Sequence, residues 1–257
     1  MTVVTQRQEH SFIYSWLSRA LLRLRSRRLV FCQAHRFRNR GQLKDGSGGS
    51  EARRFIFVRH CDNAAEAGGR PATLKLGYYP LPLTEAERLR KFLVYPAQAF
   101  AALDPCTGEG TALVTLTEQA EGYRYGIELD TYRATQARAV TNETIHGSCF
   151  YTQCPVESSS LVYCNPPYSS DWPETHTRRM EVLFLEHNYR WLKAGGVLVL
   201  VIPGARLAEC VRSLRLTSGV RVFYRLTAPE SVRYKQVVVF GIRRSHRERE
   251  KLRDQDI

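Results

Sequence analysis

Short apolar runs alternate with amphipathic segments over most of the second two-thirds of the chain. This alternation is typical of a mostly parallel β-sheet with helices packed on both of its faces. The apolar runs predict strands over residues 99–104, 123–129, 160–164 and 197–203. The amphipathic segments predict helices over residues 84–95, 110–120, 131–139 and 179–192.

Local signals refine two of these helices. Thr84 is followed three residues later by Glu87, which is the spacing of an N-terminal capping box. Gly195 and Gly196 suit the C-terminal cap of helix 179–192. Two late β-rich runs, 220–226 and 236–242, predict an antiparallel pair at the sheet edge.

The fold class predicted by this layout is α/β, a Rossmann-like doubly wound sheet that ends in a C-terminal antiparallel hairpin. Glycine-rich breaks at residues 41–50 and 64–70 precede it. We therefore expect three parts: a basic, poorly ordered N-terminal extension over residues 1–70, a folded domain over 71–244, and a charged tail over 245–257.

Charge changes this picture mainly at the N-terminus. The formal net charge is +13, and residues 1–70 hold 14 Lys and Arg against 5 Asp and Glu. A basic segment attracts phosphate groups without reading base sequence. It is equally compatible with a solvated tail, and the Arg-rich stretch 12–31 also fits a membrane-surface helix or, loosely, a transit peptide.

The seven cysteines form no Cys-x-x-Cys pair and have no matching His partners at zinc-site spacing, so we expect no metal. Their odd number and scattered positions indicate reduced thiols and a cytoplasmic protein. No apolar run approaches the roughly 18–20 residues that span a bilayer, so we expect no transmembrane segment. Oligomeric state is not predicted by any of these features.

An Asp-Pro-Cys-Thr-Gly-Glu-Gly segment, residues 104–110, lies directly after one predicted strand and before the next helix. Gly108 and Gly110 permit a tight turn and a close approach of the backbone to a ligand. Leu113 stands where a dinucleotide motif has its third glycine. The Asp104 carboxylate would repel a pyrophosphate and suits a ligand with an amino group, which disfavours a nicotinamide cofactor.

A second acidic site follows the next predicted strand. Glu128 lies 24 residues after Asp104, at a distance where an acidic side chain can accept hydrogen bonds from both hydroxyls of a ribose. Asp130 lies directly before helix 131–139, where a carboxylate caps a helix. We therefore assign the ribose to Glu128 and the cap to Asp130.

An Asn-Pro-Pro-Tyr segment, residues 165–168, follows the predicted strand 160–164. Two prolines remove two N–H donors, so this segment presents carbonyl oxygens to the cleft. The Asn165 amide oxygen and the Pro166 carbonyl can then accept both hydrogens of an –NH₂ group. Tyr168 offers a flat face on which a planar substrate can stack, and residues 169–179 are a candidate lid.

These three elements resemble motifs I, II and IV of S-adenosylmethionine-dependent amino-methyltransferases, particularly adenine-N6 DNA methyltransferases. The run 77–244 resembles more closely DUF6094, a family of small uncharacterised bacterial proteins that share its Tyr-Pro element, its Asp-Pro-x-x-Gly-Glu-Gly loop and its Asn-Pro-Pro-Tyr motif. The resemblance implies S-adenosylmethionine as cofactor and methyl transfer to an exocyclic amine, with adenine N6 in DNA as the expected target.

The resemblance also implies a role for each motif residue. Those of the last motif are catalytic: Asn165, Pro166, Pro167 and Tyr168. Those beside the cofactor are Tyr79 and Pro80, with Asp104, Pro105, Thr107, Gly108 and Gly110 at its methionine part and Glu128 at its ribose. Many such enzymes bind the cofactor's adenine through an acidic residue after the third strand, and Ser148 stands in the corresponding stretch.

Three alternatives stay open for the partner and the activity. A glutamine side chain in a protein presents the same planar –NH₂ group as adenine, so a protein substrate fits the motif. An amine on an RNA base fits it too, although we expect DNA before RNA. A degenerate domain that binds nucleic acid through its basic segment without turnover is the non-enzymatic alternative.

Overall fold

The computed structural model describes residues 29–30, 79–97, 100–168, 179–215 and 217–255. The strands are β1 (Leu29–Val30), β2 (Leu93–Val94), β3 (Phe100–Asp104), β4 (Gly122–Glu128), β5 (Glu143–His146), β6 (Ser159–Cys164), β7 (Leu192–Pro203), β8 (Ser218–Arg225) and β9 (Gln236–Arg243). The helices are α1 (Leu83–Arg90), α2 (Thr111–Thr117), α3 (Thr131–Val140), α4 (Met180–Asn188), α5 (Leu207–Leu214), α6 (Pro229–Arg233) and α7 (His246–Gln255). Single 3₁₀ turns lie at Tyr189–Trp191 and Gly204–Arg206.

Seven strands form one sheet in the order β5-β4-β3-β6-β7-β9-β8, and β1 pairs in parallel with β2 outside it. The five strands from β5 to β7 are parallel, whereas β9 is antiparallel to both β7 and β8. The chain fills the sheet in one direction from β3 to β5 and then in the other from β6. The predicted α/β fold with an antiparallel C-terminal pair is confirmed, and ligands of such sheets bind at this switch point.

Both faces of the sheet are buried, which explains the continuous apolar runs of the central strands. Along β7, the side chains of 197, 199 and 201 face α1 and α2, and those of 198, 200 and 202 face α4 and α5. The same alternation on β6 places Leu161 and Tyr163 on the first face and Val162 and Cys164 on the second. The period of two along each strand therefore fixes which side chains share a face.

The predicted helix 84–95 is shorter than expected and begins one residue earlier. It spans Leu83–Arg90, is preceded by Pro82 and has no side-chain cap, so the predicted capping box at Thr84 is wrong. Residues 93–94 form β2 instead of the last helical turn. Glu85 fixes this helix by a long-range contact, because its buried carboxylate accepts hydrogen bonds from the backbone N–H groups of Thr227 and Ala228, both at 2.6 Å.

The predicted helix 179–192 also ends early, at Asn188, and β7 begins at Leu192. The glycines at 195 and 196 therefore lie inside a strand, and their predicted role as a helix cap is wrong. Arg243 explains the early end. One terminal nitrogen of its guanidinium donates to the carbonyls of Tyr189 at 2.8 Å and Arg190 at 2.9 Å, and also to that of Leu192.

The described residues test the predicted three-part organisation only in part. Most of residues 1–70 lies outside the described residues, so the boundaries at 70 and 244 stay predictions. Within the predicted tail, α7 begins at His246 behind a capping box in which Ser245 and Glu248 exchange hydrogen bonds. None of the helices in the described ranges is long and apolar enough to cross a membrane.

We expect Arg243→Met to lower the free energy of unfolding by about 3 kcal/mol, because buried carbonyls lose their donor. Arg243 is 8% exposed, and its other terminal nitrogen pairs with Glu157 at 2.8 Å. Urea denaturation of both proteins measures the change. Arg225→Met, at an exposed position of β8, is the matched control. Equal stability of the two variants would contradict this role of Arg243.

Candidate active site

Three motifs meet at the carboxyl edge of the sheet. β3 lies between β4 and β6, so the residues that end these strands, Asp104, Glu128 and Cys164, are neighbours at one edge. The predicted site residues that follow β3 and β6 therefore face a shared space. The strand order alone brings together residues that are about 60 positions apart in the chain.

The loop after β3 is held against β4 and turns through two glycines. The N–H of Thr107 donates to the carbonyl of Ile127 at 2.9 Å. Gly108 and Gly110 have φ angles of 56° and 83°, in the left-handed region that favours glycine. A β-carbon on Gly110 would lie 2.9 Å from a methyl group of Val140. Glycine is thus required at 110 both by backbone conformation and by the packing of α3.

Asp104 is a buried carboxyl group at the end of β3. It is 1% exposed, and one of its oxygens accepts a hydrogen bond from the N–H of Cys106 at 3.0 Å. Its pKa is raised from 3.8 to about 8, mainly by burial. Hydrogen bonds from the Cys106 N–H and the Thr107 side chain oppose the rise, and the negative charge of Glu128 adds to it. A cationic ligand placed beside this carboxyl group would stabilise its ionised form.

Glu128 makes more contacts than the sequence predicts. Its Oε1 accepts hydrogen bonds from the N–H of Asp130 and from two nitrogens of Arg133, and its Oε2 accepts one from the N–H of Gly108. A carboxylate oxygen has two lone pairs, so Oε1 is saturated and Oε2 keeps one site. Oε2 therefore has an acceptor site for a ligand hydroxyl, and the assignment of the ribose to Glu128 stays a prediction.

Asp130 acts as predicted, as the cap of α3. Its side chain accepts a hydrogen bond from the N–H of Arg133 at 2.9 Å, three residues along. The guanidinium of Arg133 also forms the buried ion pair with Glu128 at 2.8 Å. Arg133 therefore connects the cap of the helix to the end of β4.

A cavity of about 220 Å³ opens between this loop and the segment that precedes α1. Its lining residues are Pro80, Leu81, Asp104, Cys106, Thr107, Glu109, Thr111, Ala112, Tyr163 and Asn165. Within the described ranges, the buried hydroxyl group of Tyr163 makes no hydrogen bond. A cavity lined by a buried carboxyl group and an unsatisfied hydroxyl suits a small charged ligand. Four of the predicted site residues line it: Pro80, Asp104, Thr107 and Asn165.

The Asn165–Tyr168 segment is connected to distant parts of the chain. The Asn165 side-chain nitrogen donates to the carbonyl of Tyr79 at 2.6 Å, and its oxygen accepts a hydrogen bond from the Tyr168 hydroxyl at 3.4 Å. The side-chain nitrogen of Gln236, at the start of β9, donates to the same hydroxyl. The amide and the ring of this motif are therefore held in fixed orientations.

The face of Tyr168 that was expected to be open is covered. The ring of Tyr79 stacks on it, with centroids 4.9 Å apart and an angle of 16° between the planes, and Tyr234 leans against Tyr79. Tyr168 is consequently only 3% exposed. Of the predicted Tyr-Pro pair, Pro80 lines the cavity and Tyr79 occupies the stacking position.

Ser148 is placed in a tight turn after β5. Its hydroxyl accepts a hydrogen bond from the N–H of Phe150 at 3.3 Å, and its carbonyl accepts one from the hydroxyl of Thr152 at 2.9 Å. Ser148 does not line the cavity beside Asp104. Its role at the cofactor's adenine stays a prediction.

Three further observations bear on the remaining predictions. No group of three or more His, Cys, Asp or Glu side chains able to hold a metal ion occurs in the described part of the chain. The cysteines at 106, 149, 154, 164 and 210 are free thiols. Of the candidate lid, residues 169–178 lie outside the described residues.

The sequence prediction missed Tyr163, Arg133 and Gln236. Tyr163 had a detectable signal, since it lies two positions before Asn165 on a strand and so shares its face. Arg133 is three positions after Asp130 in the first turn of a helix, where its side chain can reach back to the strand end. Gln236 carries no local signal, because its partner Tyr168 is 68 residues away.

The fold and the site define this chain as a Rossmann-like class I methyltransferase, and the cofactor of that class is S-adenosylmethionine, as predicted. The chain belongs to DUF6094, an uncharacterised methyltransferase family, whose profile matches residues 51–255. The sequence matches no curated protein.

Solved structures resemble the fold at low sequence identity. A candidate class I S-adenosylmethionine-dependent methyltransferase from Listeria monocytogenes is 16% identical with a TM-score of 0.54, over 64% of this chain and 59% of that one. A predicted O-methyltransferase from Agrobacterium tumefaciens is 18% identical with a TM-score of 0.48, over 63% of this chain and 81% of that one. The first of these likenesses shows the shared fold.

We expect the stability of the protein to depend on pH through Asp104. The pKa of Asp104 is 3.8 when unfolded and about 8 when folded, so the native state binds the proton more tightly. The stabilisation that this proton gives is lost as pH rises through 8. The stability of wild type relative to Asp104→Asn should therefore fall between pH ~5 and ~8, by up to about 1.4 kcal/mol per pH unit. Urea denaturation without cofactor measures it, and a constant difference would contradict the raised pKa.

Proposed function

We propose that this methyltransferase transfers a methyl group from S-adenosylmethionine to an exocyclic amine, with adenine N6 in DNA as the substrate. The observation that carries the proposal is the stacking of Tyr79 on Tyr168 beside the Asn165 amide. A flat ring already fits the slot over Tyr168, and an amide that can bind an –NH₂ group lies at its edge. A planar base with an amino group matches both features.

The residues around the cavity fit the cofactor. Asp104 offers a carboxyl group to a cationic amino group, and Thr107 lines the same cavity. Glu128 Oε2 has one free acceptor site for a ribose hydroxyl. When bound, S-adenosylmethionine supplies an electrophilic methyl group attached to a sulfonium.

Asn165 and Pro166 orient the amine. An aromatic –NH₂ group is a poor nucleophile because its lone pair is delocalised into the ring. Hydrogen bonds accepted by the Asn165 amide oxygen and the Pro166 carbonyl favour a more sp³-like nitrogen, whose lone pair can point at an electrophile. Neither acceptor is a strong base, so orientation and fixed dipoles supply most of the acceleration.

Substrate entry requires the Tyr79 ring to leave Tyr168. The ring is held there by Tyr234 and by stacking, and the backbone carbonyl of Tyr79 is held by Asn165. A base that replaces the ring regains the stacking on Tyr168. A base in a duplex must first leave its stack, which costs a few kcal/mol.

The charge of the chain supports a nucleic-acid substrate. The net charge is +13 and most of its excess lies in residues 1–70. Phosphate contacts made by such a segment supply affinity, and base recognition is left to the slot over Tyr168.

Asn165→Ala should lower kcat by roughly 100-fold or more, because the amine loses one of its two acceptors. The dissociation constant of S-adenosylmethionine should change by less than about threefold, since the amide is assigned to the amine. Transfer of a tritiated methyl group to DNA and calorimetric titration measure the two quantities.

Asn142→Ala is the matched control, because its side chain only accepts a hydrogen bond from the backbone of Arg124 at an exposed site. It should retain wild-type activity. Full activity of Asn165→Ala would rule out the proposed mechanism.

The product identifies the substrate. After reaction with tritiated S-adenosylmethionine, DNA hydrolysed to nucleosides should carry its label as N6-methyladenosine in the deoxy form, separable by chromatography. Label in RNA alone, or in protein as a methylated glutamine, would replace DNA with one of those substrates. Cofactor binding with no label in any pool would indicate a domain that binds without turnover.

A further inference from the structure

Tyr163 lies inside the cavity wall and is not used by the mechanism above. It is the fifth residue of β6, and the alternation of that strand places its side chain on the face covered by α1 and α2. It lines the cavity together with Asp104 and Asn165. Its side chain is 2% exposed, so it is part of the interior of the domain.

The hydroxyl of Tyr163 makes no hydrogen bond with any residue that the structure describes. Leaving a buried polar group unsatisfied costs about 1–3 kcal/mol. A phenylalanine would fill the same volume without that cost. A tyrosine at this position is therefore explained when a ligand in the cavity completes the hydrogen bond.

The surroundings of this hydroxyl indicate the chemistry of the ligand. Asp104 lines the same cavity and offers a carboxyl group, and Thr107 lies beside it. Burial raises the pKa of Tyr163, and the nearby Asp104 charge raises it further, so the phenol is neutral. A neutral phenol both donates and accepts, which suits a group that carries an ammonium and a carboxylate side by side.

We propose that the Tyr163 hydroxyl, together with Asp104, binds the α-amino-acid head group of S-adenosylmethionine. Tyr163 is then the residue that distinguishes the complete cofactor from adenosine thioethers that lack this head group. The inference rests on the cofactor named in the proposed function and is independent of which amine is methylated.

The test compares two ligands on the full-length chain. S-adenosylhomocysteine carries the amino-acid head group, and 5′-methylthioadenosine does not. In calorimetric titrations Tyr163→Phe should weaken binding of the first roughly tenfold, the effect of one hydrogen bond to a charged group. Its affinity for the second should stay within about twofold of wild type.

Tyr224→Phe is the matched control, because it removes a tyrosine hydroxyl from the same face of the sheet without touching the cavity. It should leave both affinities unchanged. Thermal unfolding without ligand is the second measurement. Tyr163→Phe should unfold at or above the wild-type temperature, because it removes an unsatisfied polar atom.

Each other result overturns the inference. A lower unfolding temperature for Tyr163→Phe would show that the hydroxyl has a partner within the fold. An equal loss for both ligands would place Tyr163 away from the head group, and unchanged affinities with a lower kcat would assign it to the target amine. These results leave the proposed function standing, whereas a wild-type chain that binds neither ligand overturns the cofactor and the proposed function together.

Discussion

The buried carboxylate of Glu128 is the contact on which the site depends. It joins three segments, because it accepts hydrogen bonds from the glycine loop at Gly108, from the turn after β4 at Asp130 and from Arg133 in α3. The ion pair with Arg133 is almost fully buried, so losing either partner would leave an isolated charge in the interior. Together with the hydrogen bond from Thr107 to Ile127, this group holds the glycine loop, residues 104–110, against β4.

The antiparallel end of the sheet holds the other half of the site, the stacked rings of Tyr168 and Tyr79. Because β9 is antiparallel, its first residue, Gln236, lies at the carboxyl edge of the parallel strands, where it bonds the hydroxyl of Tyr168. The turn before β9 supplies Tyr234, which packs on Tyr79. The parallel strands thus provide the acidic groups at the cavity, and the antiparallel hairpin fixes the ring of Tyr168.

Local patterns predicted the strands, the glycine loop and the cap at Asp130, because each depends on residues within a few positions of one another. Contacts between distant residues were beyond such patterns. The early end of the helix before β7 depends on Arg243, more than 50 residues away, and the covering of Tyr168 depends on Tyr79, 89 residues before it. The saturation of Glu128 Oε1 with hydrogen bonds depends on the length of the Arg133 side chain, which a pattern of polar and apolar positions does not encode.

The strand order leaves one strand of the sheet without its neighbour until late in synthesis. β9 is the last strand made, yet it lies between β7 and β8, and within the described sheet β8 pairs only with β9. A nascent chain can therefore pair its parallel strands early, whereas β8 has no strand to pair with until β9 is made. Gln236 is the first residue of β9, so a nascent chain that ends before it contains residues 104–110 but lacks the contact that orients Tyr168.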